Sequence, residues 1–280
     1  MRNASSQNRL AEKFAVLQSS AAGRKKNALL ICYAVAGYPD VKTSQEIAAT
    51  LVKAGADVIE IGIPFSDPVA DGPVIQKASY DALTKGMTPE KSLSIVQATR
   101  KQFSQVPILL MTYANIVFKA GYDAFSAKAA RAGADGFVIP DLPIEEAGQY
   151  VAAMRKSNLA AVFLVSPNSS EQRIHAIAAK SSGFLYLIST YGTTGMRSSF
   201  DLSVADYIKR VKQVVGSSIP VAVGFGISKP EHVRFMIDAG ADAVIVASAI
   251  VNILEKNSSK KKALVEIEKF VSELAFECCT

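Results

Sequence analysis

From Leu29 onward, eight short apolar runs alternate with amphipathic stretches of helical length. The runs are Leu29–Val35, Val58–Ile61, Pro107–Met111, Gly136–Ile139, Ala160–Val165, Phe184–Ile188, Pro220–Val223 and Ala243–Val246. Each is rich in aliphatic or β-branched residues and bounded by Gly, Pro, Asp or Ser, as a buried strand should be. Helical segments separate them: Ser44–Lys53, Pro89–Phe103, Ala124–Ala132, Glu145–Lys156, Ser170–Lys180, Val204–Val215, Pro230–Ala239 and Ala249–Glu255. Eight strand–helix units in a row demand a parallel sheet, and at 280 residues that sheet closes into a (β/α)8 TIM barrel. An open doubly wound sheet is the alternative. The first strand is followed by no GxGxxG, which weighs against it.

Ala-Gly-Ala-Asp occurs three times, at Ala54–Asp57, Ala132–Asp135 and Ala239–Asp242, each time directly before a strand. Glycine suits the left-handed residue that ends a helix. Because these motifs precede strands, they belong to the barrel's N-terminal, stability-bearing face, and chemistry is expected at the opposite end. Both flanks are helical in spacing. Leu10, Phe14 and Leu17 make Arg9–Gln18 an extra N-terminal helix across the barrel floor, and Ala263–Leu274 closes the outer ring. The expected organisation is one domain: residues 1–27 as extension and helix, 28–257 as barrel core, 258–280 as C-terminal helix and tail.

Composition narrows the function classes. The net charge of +6 is modest, and the basic runs Arg24–Lys26 and Lys260–Lys262 lack the interleaved aromatics of a nucleic-acid surface. No apolar stretch has the length of a membrane span, and the polar first thirty residues do not resemble a signal peptide. Three cysteines without CxxC spacing and two histidines, His175 and His232, offer no usual zinc site. Both histidines fall inside helical segments, where surface or packing roles are expected. A reducing cytoplasm suits this cysteine usage, and neither metal nor cofactor is expected.

One residue breaks the strand pattern. Glu60, in Val58-Ile59-Glu60-Ile61-Gly62, places a carboxyl near the C-terminal end of the second strand. Burial there is costly unless the acid is paired or used, and it raises the pKa toward a range suited to general acid–base work. The following loop, Pro64–Pro73, holds Asp67, Asp71 and three prolines. Proline stiffens such a loop and can hold an acid in place, so Asp67 or Asp71 is positioned to supply a second carboxylate. Further along, Gly192–Gly195, Gly224–Ser228 and Ala247–Ala249 follow strands six, seven and eight. Small residues and hydroxyls at these ends favour phosphate, which barrels of this kind bind after strands seven and eight.

The stretch Ile59-Glu60-Ile61-Gly62-Ile63-Pro64-Phe65-Ser66-Asp67-Pro68-Val69-Ala70-Asp71-Gly72-Pro73 resembles the signature of the tryptophan synthase α-subunit family. Ala36–Pro39, Met111–Asn115, Pro140–Pro143 and Gly224–Ser228 match further motifs in order, over roughly residues 9 to 272. The resemblance implies a lyase that cleaves indole-3-glycerol phosphate to indole and glyceraldehyde 3-phosphate, without a cofactor, in tryptophan biosynthesis. It makes Glu60 the acid–base group at the ring carbon and side-chain hydroxyl, and Asp71 the partner of the indole N–H. Tyr33 and Tyr186 take substrate-pocket positions. Thr194, Gly195, Gly226 and Ser248 take those of the closing loop and phosphate cradle.

The resemblance also implies a partner, a β subunit that receives indole within an assembly of two α and two β chains. Asp67, Pro68 and Asn115 match its contact surface. Two departures stand out: Ala247 replaces a usual glycine before Ser248, and Thr193 replaces a usual valine before Thr194. Alanine at 247 still offers its N–H but restricts the backbone angles, which would loosen or reshape the phosphate cradle. The alternatives are a stand-alone lyase of the same chemistry and a mainly noncatalytic activator of the β subunit. Retention of Glu60 and Asp71 argues against the second.

Overall fold

The computed structural model describes residues 8–19, 26–188, 202–224 and 226–279. Its strands are β1 (Leu29–Val35), β2 (Val58–Gly62), β3 (Ile108–Met111), β4 (Gly136–Val138), β5 (Ala160–Val165), β6 (Leu185–Ile188), β7 (Val221–Gly224) and β8 (Ala243–Val246). They pair in chain order, all parallel, and β8 closes on β1 with Leu29 opposite Ala243. The expected barrel and its eight strands are present, with ends differing by no more than a residue.

Before β1 lies α1 (Arg9–Gln18), and α2 (Val41–Lys53) joins β1 to β2. After β2 come α3 (Pro73–Thr84) and α4 (Pro89–Gln102), and after β3 come α5 (Ala114–Ala120) and α6 (Tyr122–Ala132). The later connections hold α7 (Gly148–Lys156), α8 (Glu171–Lys180), α9 (Leu202–Val215), α10 (Pro230–Asp238), α11 (Ser248–Lys256) and α12 (Lys260–Glu277). Two helices had no counterpart in the sequence reading. α3 starts on Pro73 with no side-chain cap, and α5 has seven residues, too few to show a period. The run Lys260–Lys262 is the first turn of α12. Among the described residues, no helix is long and apolar enough to cross a membrane.

The barrel interior is a separate apolar layer. Leu29, Ile31, Val58, Leu109, Val162 and Phe184 pack there, and α1 seals the floor with Leu10 and Phe14. Alternate residues of a strand face opposite sides. Val58 lies inside while Ile59 and Ile61 join the outer barrel–helix layer, so Glu60 points into the barrel.

The three Ala-Gly-Ala-Asp segments form one device at the N-terminal rim. Their glycines Gly55, Gly133 and Gly240 have φ of 107°, 101° and 103°, which favours glycine. Each aspartate then clamps the strand on one side of it. The N–H groups of Asp57, Asp135 and Asp242 donate to the carbonyls of Leu30, Ile108 and Val221, all at 2.8 Å. In return the N–H groups of those three residues donate to the aspartate carboxylates at 2.9, 2.8 and 2.7 Å. Cations complete each clamp: Lys13 and Lys26 on Asp57, Arg9 and Arg100 on Asp135, Lys212 on Asp242. Lys13 and Arg9 belong to α1, so the floor helix is pinned through two of the three clamps.

Candidate active site

At the opposite rim, β2 delivers Glu60 into the barrel with 1% of its surface exposed. Neither carboxyl oxygen has a hydrogen-bond partner among the described residues. A buried, unpaired carboxylate is costly, so the proton is retained. Burial, and secondarily the nearby Asp71, push the Glu60 carboxyl from 4.5 up to about 8. Among the described residues it is the one buried acid left unsatisfied, the reverse of the clamped aspartates at the floor.

Asp71 is the second acid of the pair. The Pro64–Pro73 loop turns back through hydrogen bonds from Val69 N–H to Asp67 O and from Asp71 N–H to Pro68 O. Gln76 on α3 donates to the Asp71 carbonyl at 2.8 Å. Asp71 is thereby buried, whereas Asp67 is exposed with Ser66 Oγ donating to it. Burial raises the Asp71 carboxyl to about 6, and a hydrogen bond from Tyr113 Oη restrains that rise.

Two tyrosines complete the interior of the site. Tyr33 on β1 stands opposite Glu60 in the strand register, and Tyr186 projects from β6. Burial raises both phenols well above their ordinary value, with Asp71 and Glu60 adding to the rise in each. Each tyrosine lies across a glycine. A Cβ on Gly62 would overlap the Tyr33 hydroxyl, and one on Gly224 would come within 2.6 Å of Tyr186 Cε2. Glycine at these strand ends is therefore required by the side chains that cross it.

β7 and β8 are neighbours in the sheet, and their C-terminal ends lie at the same rim. Gly226 has φ 71°, and Ser248, 3% exposed, opens α11, whose first-turn amides have no acceptor within the helix. Ala247 has φ −127°, outside the left-handed region that favours glycine. Thr194 and Gly195, with Thr193, lie outside the described residues. Asn115 is exposed on α5 and Pro68 half-buried, on the same outer rim as Asp67. Among the described residues, no group of three His, Cys, Asp or Glu could hold a metal ion. His175 is exposed on α8, while buried His232 accepts the Ser228 N–H at Nδ1, a packing role as expected.

Tyr113 was overlooked in the sequence. It follows β3 at the same C-terminal rim, is 2% exposed and binds Asp71 directly. Its place in Met111–Asn115, just beyond a strand's C-terminal end, was the signal that could have nominated it.

Known proteins resemble this chain over most of its length. The family profile for the tryptophan synthase alpha chain matches residues 19–277. The chain is 44% identical over 243 residues to the tryptophan synthase alpha chain of Methanothermobacter thermautotrophicus, covering 87% of this chain and 89% of that one. It is 45% identical over 251 residues to that of Solibacter usitatus, covering 90% and 92%. Among solved structures, tryptophan synthase subunit alpha from Legionella pneumophila superposes with a TM-score of 0.87 at 35% identity, over 98% of this chain and 99% of that one. A chain of Mycobacterium tuberculosis tryptophan synthase gives 0.86 at 36% identity, over 98% and 99%. With the profile covering most of the sequence and the relatives far above the identity that defines common descent, the chain belongs to the tryptophan synthase alpha chain family.

Proposed function

We propose that Glu60 and Asp71 are the acid pair with which this lyase subunit performs its family's reaction, the retro-aldol cleavage of indole-3-glycerol phosphate. The observation that carries the reading is the unequal burial of two neighbouring carboxyls. Near neutral pH, Glu60 at about 8 holds its proton while Asp71 at about 6 is mostly ionised. Such a split assigns donor and stabiliser within one pair.

The roles follow from that split. Glu60 transfers its proton to the ring carbon that bears the glycerol chain, and the ring becomes a cationic indolenine. Asp71 accepts the indole N–H and stabilises the positive charge developing there. The Glu60 carboxylate then takes the proton of the side-chain hydroxyl. The O–H electron pair becomes the new carbonyl, the carbon–carbon bond breaks, and its electrons restore the aromatic ring. Indole and glyceraldehyde 3-phosphate leave, and Glu60 is protonated again. Tyr33 and Tyr186 flank the ring, and Gly226 with Ser248 at the start of α11 receives the phosphate, together with Thr194 and Gly195 from the sequence that follows β6.

The exposed rim of Asp67, Pro68 and Asn115 is the surface offered to a β subunit, in an assembly of two α and two β chains. The cytoplasm is the expected compartment. The test is indole formation from indole-3-glycerol phosphate with and without a cognate β subunit, in wild type and Glu60→Gln. Release that rises with the β subunit and disappears in the variant supports the reading. Fast release by the isolated chain would point to a stand-alone lyase, and full activity in the variant would remove Glu60 from its role. No release under either condition would favour a noncatalytic activator.

A further inference from the structure

Two neighbouring buried acids serve opposite roles only if something holds one of them ionised. For Glu60 nothing does: both oxygens are buried without partners among the described residues. For Asp71 there is, among the described residues, one side-chain donor to its carboxylate, Tyr113 Oη, at 2.8 Å. The phenol is itself fixed from three directions. The Ala70 N–H donates to Tyr113 Oη at 3.2 Å, which leaves the phenolic proton directed at Asp71. Phe65, from the same loop as Asp71, stacks on the Tyr113 ring with centroids 5.1 Å apart. The following residue is anchored too, since the Ala114 N–H donates to Asp141 at 2.9 Å from the loop after β4. The tyrosine thus joins the β2 loop to the ends of β3 and β4.

We infer that Tyr113 is a positioning residue for the cleavage reaction, which acts through Asp71 by holding its carboxylate in place and in the ionised form. This rests on the proposed roles of Glu60 and Asp71 and deepens them. The groups that face Asp71 are Glu60 from β2, Tyr33 from β1, Tyr186 from β6 and Tyr113 itself, with Asp141 acting on the Tyr113 phenol. None of the groups shifting either acid is basic. The neutral donor therefore does what a cation does at many buried carboxylates. It favours the anion without supplying a positive charge that would repel the cationic ring formed in the reaction.

Tyr113→Phe removes the hydroxyl and keeps the ring against Phe65. A hydrogen bond to a charged group is typically worth ~1.5–3 kcal/mol, which corresponds to about one to two pH units. Removing it should move the Asp71 titration toward alkaline pH by that amount. Two readouts test this on the full chain. Carbon-13 NMR of the Asp71 side-chain carboxyl follows the titration without any turnover, so it tests the inference even if the proposed reaction fails. The pH dependence of kcat in the α–β complex should show its acid limb displaced in the same direction, with KM changed much less than kcat. Adding Tyr113→Phe to Asp71→Asn should then cost less than a further twofold in kcat. An Asp71 titration unmoved in Tyr113→Phe, with the variant folded by circular dichroism, would overturn the inference. So would an additional large loss in the double variant, since Tyr113 would then act by another route.

Discussion

Replacing Glu60 with glutamine should make the folded protein more stable, and the gain should depend on pH in a defined way. The carboxyl titrates at about 8 in the folded chain against 4.5 as its ordinary value. Below pH 4.5 it is neutral in both folded and unfolded states and contributes no difference. Between 4.5 and 8 the folded state keeps a proton that the unfolded state has released, so wild-type stability falls as pH rises, by about 1.4 kcal/mol per pH unit. At pH 7 the accumulated penalty is on the order of 3 kcal/mol, and it levels off above pH 8. Glutamine fills nearly the same space and cannot ionise. The difference between variant and wild type should therefore be smallest near pH 4.5, grow through neutrality and reach a plateau in mild alkali. Urea unfolding of both chains at half-unit steps from pH 4.5 to 8.5 measures it, and the titration of Asp71 largely cancels in the comparison. A stability difference that stays flat across this range would mean that Glu60 is hydrated as freely as in the unfolded chain. A difference that grows toward acid pH would mean that the fold stabilises the anion. Either result refutes the assignment of Glu60 as a protonated donor at neutral pH.

Gly62→Ala places a methyl group where the Tyr33 hydroxyl lies, so the tyrosine must leave its seat. Overpacking of this kind costs about 1–3 kcal/mol; thermal melts should show the loss in wild type and a smaller one in a Tyr33→Leu background. An equal loss in both backgrounds would show that Tyr33 is not what the methyl meets. At the floor, Arg100 donates to the carbonyls of Phe103, Ser104, Val106 and Gly133 and to Asp135. Arg100→Met leaves the buried Asp135 with one cation fewer and several carbonyls bare, a loss of roughly 3–5 kcal/mol. Urea titration checks it, and a cost below about 1 kcal/mol would mean that Arg9 alone sustains the clamp.

The barrel was legible because its physical signal is redundant. Strands such as β1, β5 and β8 are buried on both faces along nearly their whole length, so an unbroken apolar run marks them to the residue. α3 and α5 were not legible, since neither begins with a side-chain cap and both grow out of loops whose prolines, aspartate or tyrosine suggest irregular chain. Glu60 could be read because a carboxyl at an inward strand position contradicts its neighbours. The choice between Asp67 and Asp71 was open on bottom-up grounds. It depends on hydrogen bonds within the loop that turn one acid inward and leave the other exposed, and spacing does not encode them. Tyr113 escaped notice for a related reason: its importance lies in a contact to a residue 42 positions away. The departure at Ala247 was read against the family's usual glycine, and the backbone there, at φ −127°, is not left-handed.

The two ends of the barrel treat the same functional group in opposite ways, and the contrast explains how the site is tolerated. At the floor, each clamped aspartate accepts a strand N–H and meets at least one lysine or arginine, so each anion is satisfied where it is buried. At the open rim, Glu60 sits on the same rigid sheet with neither donor nor cation among the described residues. Were a lysine or a strand N–H within reach, its pKa would fall below neutrality and the role proposed for Glu60 as a proton donor would be lost. The destabilisation must then be offset by the rest of the fold, to which the clamps that join α1, the strand starts and the helix ends belong. A substitution that loosens a clamp should for this reason lower stability while leaving the ionisation of Glu60 untouched, because no clamped group is among those that shift it. Activity at permissive temperature would survive such a change, whereas a new donor beside Glu60 would raise stability and remove activity together.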